Sequence, residues 1–93
     1  MLIEHKEADG KGMFYIKVDG HIQAEMTYTK PAADKLIIDH TEVDPKLSGK
    51  GIGLQLLSTL VEFARTENLK VIPLCPFAKS VFDKKKEFRD VLL

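Results

Sequence analysis

The sequence predicts an α+β fold: one mostly antiparallel sheet with helices packed against it. Three observations carry this. Residues 11–43 hold strand-like runs, two of them joined by Asp19-Gly20. Leu56, Leu57, Leu60, Val61 and Ala64 then recur at helical spacing. A short apolar run, "KVIPLC" (70–75), follows, and Pro76 opens a second helical pattern.

Each element has its own signal. A short strand is expected at about Ile3–Glu7. Asp-Gly between strand-like runs marks a tight hairpin, because both turn positions favour positive φ. After it, Ile22, Ala24, Met26 and Tyr28 alternate with His21, Gln23, Glu25 and Thr27, the period of a half-buried strand. Pro31 and Asp34 mark the next turn, and "KLIIDHTEV" (35–43) reads as a third long strand. The first helix is expected over 51–67, with Gln55, Thr59, Glu62 and Arg65 on its polar side and Asn68 as its stop. "KVIPLC" reads as a short buried strand. Pro76 suits the first turn of a second helix, whose Ala78, Val81 and Phe82 would face inward. Lys84-Lys85-Lys86 reads as a solvated helix end, where cations suit the dipole. The tail "KKKEFRDVLL" shows no clear pattern. The length, 93 residues, suits one domain over 1–93.

Composition narrows the function classes. There are 14 basic and 14 acidic residues, so the formal net charge is zero. A sequence-independent grip on nucleic acid normally needs a basic excess, and no such partner is expected. No segment reaches membrane-spanning length, and the charged start "MLIEHKEADGKG" is not a signal peptide, so no membrane partner is expected. The lone Cys75 cannot form an internal disulfide, which suggests a reducing, cytoplasmic setting. No metal is expected. The sequence does not fix the oligomeric state.

The most informative stretch is "LSGKGIGLQLL" (47–57), with glycine at 49, 51 and 53 just where the helix begins. Glycine costs about 0.5–1 kcal/mol relative to alanine inside a helix. A helix N-terminus presents unpaired N–H groups and the positive end of the dipole. Glycines let an anion approach that backbone, so the stretch makes a diphosphate-sized cradle. Lys46 and Lys50 add charge and Ser48 a hydroxyl. A P-loop string is absent. A dinucleotide fingerprint started at Gly51 would need its last glycine at Leu56, and the match fails. The competing reading is a tight strand-to-helix turn that binds nothing.

"VDPKLSGKGIGLQLL" resembles the acyl-CoA-binding motif of the GNAT acetyltransferase superfamily, [QR]-x-x-G-x-[GA]. Ser48 stands at the Gln/Arg position, and Gly51 and Gly53 are the motif glycines. "HTEV" before it and "PLCPFAKSVFDK" after it are similar to a compact branch of that superfamily, and the resemblance covers nearly the whole chain. It implies a compact GNAT-like fold and acetyl-CoA as co-substrate. It implies that the strand before the long helix splays from the next strand, with the pantetheine arm in the gap against Glu42 and Val43. Ser48, Gly49, Lys50, Gly51, Ile52 and Gly53 would hold the pyrophosphate, and Ser80 and Phe82 would line the other wall. Ser48 departs from the motif's long polar side chain. The two helices that usually follow the first strand are missing, so the acceptor is not legible.

Acyl transfer to an amine needs a deprotonated amine, a polarised thioester carbonyl and a proton for the leaving thiolate. Glu42, Glu25 and His40 are candidate bases. His40 and Glu42 face the same way by the two-residue strand period, and a carboxylate tunes a neighbouring histidine. Their competing reading is a solvated strand end. Cys75 precedes a proline-started helix, whose N-terminus favours a thiolate. It is a candidate acid or nucleophile, against the plainer reading of a small buried residue. In the resembling branch a cysteine stands at this place, where many GNAT enzymes use a tyrosine further along. Tyr28 and Tyr15 are weaker candidate acids, and His5 and His21 look peripheral. The leading expectation is an N-acetyltransferase acting on a primary amine. A non-catalytic acyl-CoA-binding module is the alternative, and an interaction domain that binds no nucleotide is the third.

Overall fold

The computed structural model describes residues 1–93. Its elements are β1 (Glu4–Ala8), β2 (Lys11–Val18), β3 (His21–Ala32), β4 (Lys35–Val43), α1 (Ile52–Glu67), β5 (Lys70–Pro73) and α2 (Pro76–Lys84). Short 3₁₀ turns cover Pro45–Leu47 and Lys86–Val91. The five strands lie in sequence order: β1 to β4 are antiparallel, and β5 runs parallel to β4 after the α1 crossover. The expected α+β architecture is therefore present.

Local signals explain most boundaries. Asp19 and Gly20 both have positive φ, and the hairpin turns there. Asn68 takes the left-handed conformation (φ 55°) and ends α1, with the amide of Leu69 donating to the Ala64 carbonyl at 2.8 Å. Pro76 occupies the first turn of α2. Two expectations shift. Pro31 lies inside the end of β3, where the pairing with β4 is irregular, and the turn falls after Ala32. β5 ends at Pro73, so Leu74 and Cys75 are not strand residues. The tail forms the second 3₁₀ turn, and the Leu93 amide donates to the Val71 carbonyl at 3.0 Å, along the open side of β5.

One core of 20 buried residues holds the two layers together. Phe14, Ile16, Ala24, Met26, Tyr28, Leu36 and Ile38 form the inner face of the sheet. Ile52, Leu56, Leu57, Leu60, Val61 and Ala64 of α1 meet them, and α2 adds Ala78 and Phe82. Burying one such leucine contributes about 1.5–3 kcal/mol, so α1 is a chief source of stability.

Two features of the sheet matter for the site. Tyr28 pairs with Ile38, but Thr27 pairs with His40, so Asp39 is an extra residue in β4. Thr29 Oγ1 donates to the Asp39 carboxylate at 2.8 Å and holds this bulge. Up to Ile38 the even-numbered residues face the core; beyond the bulge Thr41 and Val43 do. His40 and Glu42 face the outer side, beside Thr27 and Glu25 of β3. At the β1 end, His5 is not peripheral. It stacks on Phe14 (4.1 Å, 5° between planes) and meets the edge of Phe63. Its Nε2 lies 2.6 Å from the phenol oxygen of Tyr28, which donates to Glu7 at 2.7 Å. Burial lowers the pKa of His5; the Tyr28 hydrogen bond lowers that of Glu7. Burial, reinforced by Glu7, raises Tyr28 far above an ordinary phenol.

Candidate functional site

The site begins where two parallel strands part. β4 and β5 pair from Lys35–Lys70 to Ile38–Pro73. The amides of Leu74 and Cys75 then both donate to the Ile38 carbonyl, each at 3.1 Å. The chain turns into α2, while β4 runs on to Val43 without a neighbour on that side. A cleft of about 540 Å³ opens there. Thr41 and Val43 of β4 line one side, and Phe77, Val81 and Lys84 of α2 with its C-cap Lys85 the other. The segment from Leu47 through Ser48, Gly49 and Gly51 to Leu54 forms the end wall.

That end wall is built to expose backbone. The Asp44 carboxylate accepts from the Lys46 amide at 2.8 Å and sets the 3₁₀ turn. The Ser48 amide is used within it, donating to the Pro45 carbonyl at 3.1 Å. Gly49 (φ 79°) and Gly51 (φ 69°) hold a left-handed backbone that side chains rarely adopt. Gly51 caps α1, its carbonyl accepting from the Gln55 amide at 3.0 Å. The amides of residues 49–54 make no backbone hydrogen bond. Gly53 is needed for a different reason. A Cβ there would stand 2.8 Å from the Phe77 ring, so its bareness lets α2 close against α1.

The expected contacts divide. Val43, Ser48, Gly49, Gly51, Ile52 and Gly53 border the cleft, while Lys50 does not; its carbonyl accepts from the Gln55 side chain at 3.5 Å. Phe82 does not line it. It is buried in the core (1% exposed), and Phe77, five residues earlier, supplies the aromatic wall. Ser80 does not line it either; its Oγ donates to the Phe77 carbonyl at 2.9 Å, within α2. Lys84 and Lys86 are exposed at the end of α2, and Lys84 and Lys85 also border the cleft. Phe77, Val81 and Lys84 lie four and three residues apart, on one helical face, and Lys85 follows at the C-cap. That spacing was available in the sequence, but inward packing of Phe82 drew attention to the wrong face.

The candidate chemical groups do not form one cluster. His40 Nε2 and the Glu42 carboxylate are 3.0 Å apart, with side chains 53% and 73% exposed, on the outer face of β4. Glu25 stands opposite Glu42. Cys75 is buried (4% exposed) at the N-cap of α2, on the inner side. Its thiol donates to Thr41 Oγ1 at 3.2 Å, so Thr41 stands between Cys75 and the cleft. Sequence reasoning missed Thr41, because the bulge that turns it inward leaves no mark in the hydrophobic pattern. Tyr28 is committed to His5 and Glu7 and does not reach the cleft. Tyr15 lies on the outer face under the ammonium groups of Lys6 and Lys17, at 5.2 and 5.9 Å. No helix is long and apolar enough to cross a membrane.

Comparison with known proteins places this arrangement. A family model for the GCN5-related N-acetyl-transferase matches residues 13–91. The solution structure of a GCN5-like protein from Staphylococcus aureus, classed as an N-acetyltransferase, is 41% identical. It superposes with a TM-score of 0.75 over 97% of this chain and 87% of its own. A ribosomal-protein-alanine N-acetyltransferase from Brucella melitensis biovar Abortus is 17% identical, with a TM-score of 0.68 over 83% of this chain and 62% of its own. A GNAT family acetyltransferase from Elizabethkingia anophelis, solved with acetyl-CoA bound, is 17% identical, with a TM-score of 0.64 over 83% and 53%. This chain thus spans little more than half the length of the last two, which share its fold. No curated protein matches. The family match and the S. aureus relative agree with the splayed sheet and the glycine loop: the chain belongs to the GCN5-related N-acetyltransferase family of acyl-transferring enzymes.

Proposed function

We propose that the chain acts as one domain that binds acetyl-CoA in the β4–β5 cleft and transfers the acetyl group to a primary amine. The observation that carries this is the row of unpaired amides at residues 49–54, facing a gap between parting strands. Amides at a helix N-terminus bind phosphate oxygens through both hydrogen bonds and the dipole. The free side of β4 offers backbone groups to an amide-bearing arm. The Elizabethkingia structure shows that a protein of this fold holds acetyl-CoA.

In this reading the two faces of β4 divide the work. The amine approaches from the outer face, where Glu42, paired with His40, accepts its proton. Nitrogen bonds to the thioester carbonyl carbon, the carbon–sulfur bond breaks, and the thiolate leaves into the cleft. A proton reaches that thiolate from the Cys75 side through the Thr41 hydroxyl. General acid–base help of this kind is worth about 10²–10⁴-fold each. The acceptor is a metabolite amine, a polyamine, a peptide N-terminus or a lysine.

A second reading is a binding module without turnover. The separation of Cys75 from the solvated Glu42–His40 pair favours it. One experiment tests both: acetyl-CoA is added to isotope-labelled protein, and protein amides and the acetyl methyl signal are followed by NMR. Shifts at 48–54 and around Cys75, with methyl loss once amines are added, are expected. Shifts without consumption support the module. No shifts at millimolar ligand refute the cleft as an acetyl-CoA site.

A further inference from the structure

The cleft holds more positive charge than a diphosphate cradle requires. A diphosphate at the end wall is served by neutral donors, the amides of residues 49–54. Yet the facing wall ends in two full charges, Lys84 and Lys85. Neither lysine lies within ion-pair distance of a carboxylate; the five ion pairs of the protein involve other groups. Of the other charged groups of the tail, Asp90 binds Arg65 and Arg89 donates to the Phe82 and Asp83 carbonyls, while the Asp83 and Glu87 carboxylates are exposed and pair with neither lysine. The chain as a whole is neutral, so this local surplus is not part of a general basic surface.

The α2 face also has a polarity. Phe77 and Val81 come first, and the lysines follow one to two turns later, about 10 Å from Phe77 along the axis. An apolar stretch beside β4 thus leads to a cationic mouth. A ligand matched to this wall is neutral in its reactive arm and carries its anions at the far end, with one beyond those the amides hold.

We propose that Lys84 and Lys85 form a second anion subsite that reads the 3′-phosphate of the nucleotide, and so select the 3′-phosphorylated carrier over thioesters that lack it. This rests on the acetyl-CoA reading above. An unpaired ammonium meeting a phosphate forms a charge-assisted contact stronger than a neutral one. Its loss should be read as an affinity ratio of about tenfold or more between carriers.

The test is calorimetric titration of the wild type and of a Lys84→Gln/Lys85→Gln double variant with acetyl-CoA, acetyl-dephospho-CoA and acetyl-pantetheine. The wild type is expected to bind acetyl-CoA at least about tenfold more tightly than the dephospho form. In the double variant the two affinities should converge, through loss for acetyl-CoA alone, with the amide fingerprint of the fold unchanged. Persistent discrimination in the variant, or none in a wild type that binds acetyl-CoA, overturns the lysine subsite and leaves the cleft reading intact. A wild type that binds none of the three overturns both.

Discussion

Gly12 lies beneath the ring of Tyr28: a Cβ at position 12 would stand 2.4 Å from both Cζ and the phenol oxygen, and 2.7 Å from the Lys6 carbonyl. The bare backbone lets the phenol cross β2 and reach Glu7 and His5 on β1. Tyr28 is 1% exposed, and the carbonyl is backbone, so neither can retreat freely. Gly12→Ala should destabilise the fold by about 1–3 kcal/mol, as overpacking does. For a domain of this size each kcal/mol lowers Tm by about 4–8 °C. Thermal unfolding of the variant checks it.

The same cluster sets a pH dependence. Burial holds the pKa of His5 below 6.5, so the folded state prefers the neutral ring. An unfolded chain then binds the proton more readily, and stability present above about pH 6.5 is lost as pH falls below it. Glu7, held low by the Tyr28 hydroxyl, acts in the same direction further down: its contribution is present above 4.5 and lost as pH falls through its depressed value. Tm should fall from pH 7 to pH 5. His5→Asn should be less stable at pH 7 and lose the upper part of that slope. An equal slope in both proteins would count against His5.

Gly53→Ala separates binding from folding. Alanine is favoured over glycine within a helix by up to about 1 kcal/mol. The ring it would strike, Phe77, is 39% exposed and can swing outward. Stability should change little, while the displaced ring narrows the cleft. Affinity for acetyl-CoA should fall about tenfold, the equivalent of about 1.4 kcal/mol. Unfolding and titration on the same sample measure both.

Two substitutions divide the proposed chemistry. Cys75→Ala should leave fold and acetyl-CoA binding in place and lower transfer by about 10²–10⁴-fold. Glu42→Gln should lower kcat/KM by a similar factor. Steady-state kinetics with one accepted amine decide each case; undiminished turnover removes that residue from the reaction.

Much of this was legible in the sequence because it depends on local chemistry. The Asp19-Gly20 turn, the α1 periodicity, the Asn68 stop and the Pro76 start each act within a few residues. The glycine loop was legible for the same reason at 49 and 51, where the backbone is left-handed, whereas the bareness of Gly53 serves packing against the distant Phe77. What failed depends on packing between distant segments. Phe82 and Phe77 are both aromatic residues of one short helix, and only the position of α1 decides which is buried. The roles of His5 and Thr41 come from side-chain contacts with residues 23 and 34 positions away, Tyr28 and Cys75.

Asp39 has a consequence for how this sheet can change over generations. One supernumerary residue sets the phase of everything after it in the strand. Its deletion would turn His40 and Glu42 towards α1 and send Thr41 and Val43 outward, exchanging the inventories of the two sides in a single event. Point substitution would need four simultaneous replacements to do the same. The strand is therefore brittle to a change of reading phase yet tolerant of change in composition, and relatives of this size should vary the identities of residues 40–43 far more readily than their number.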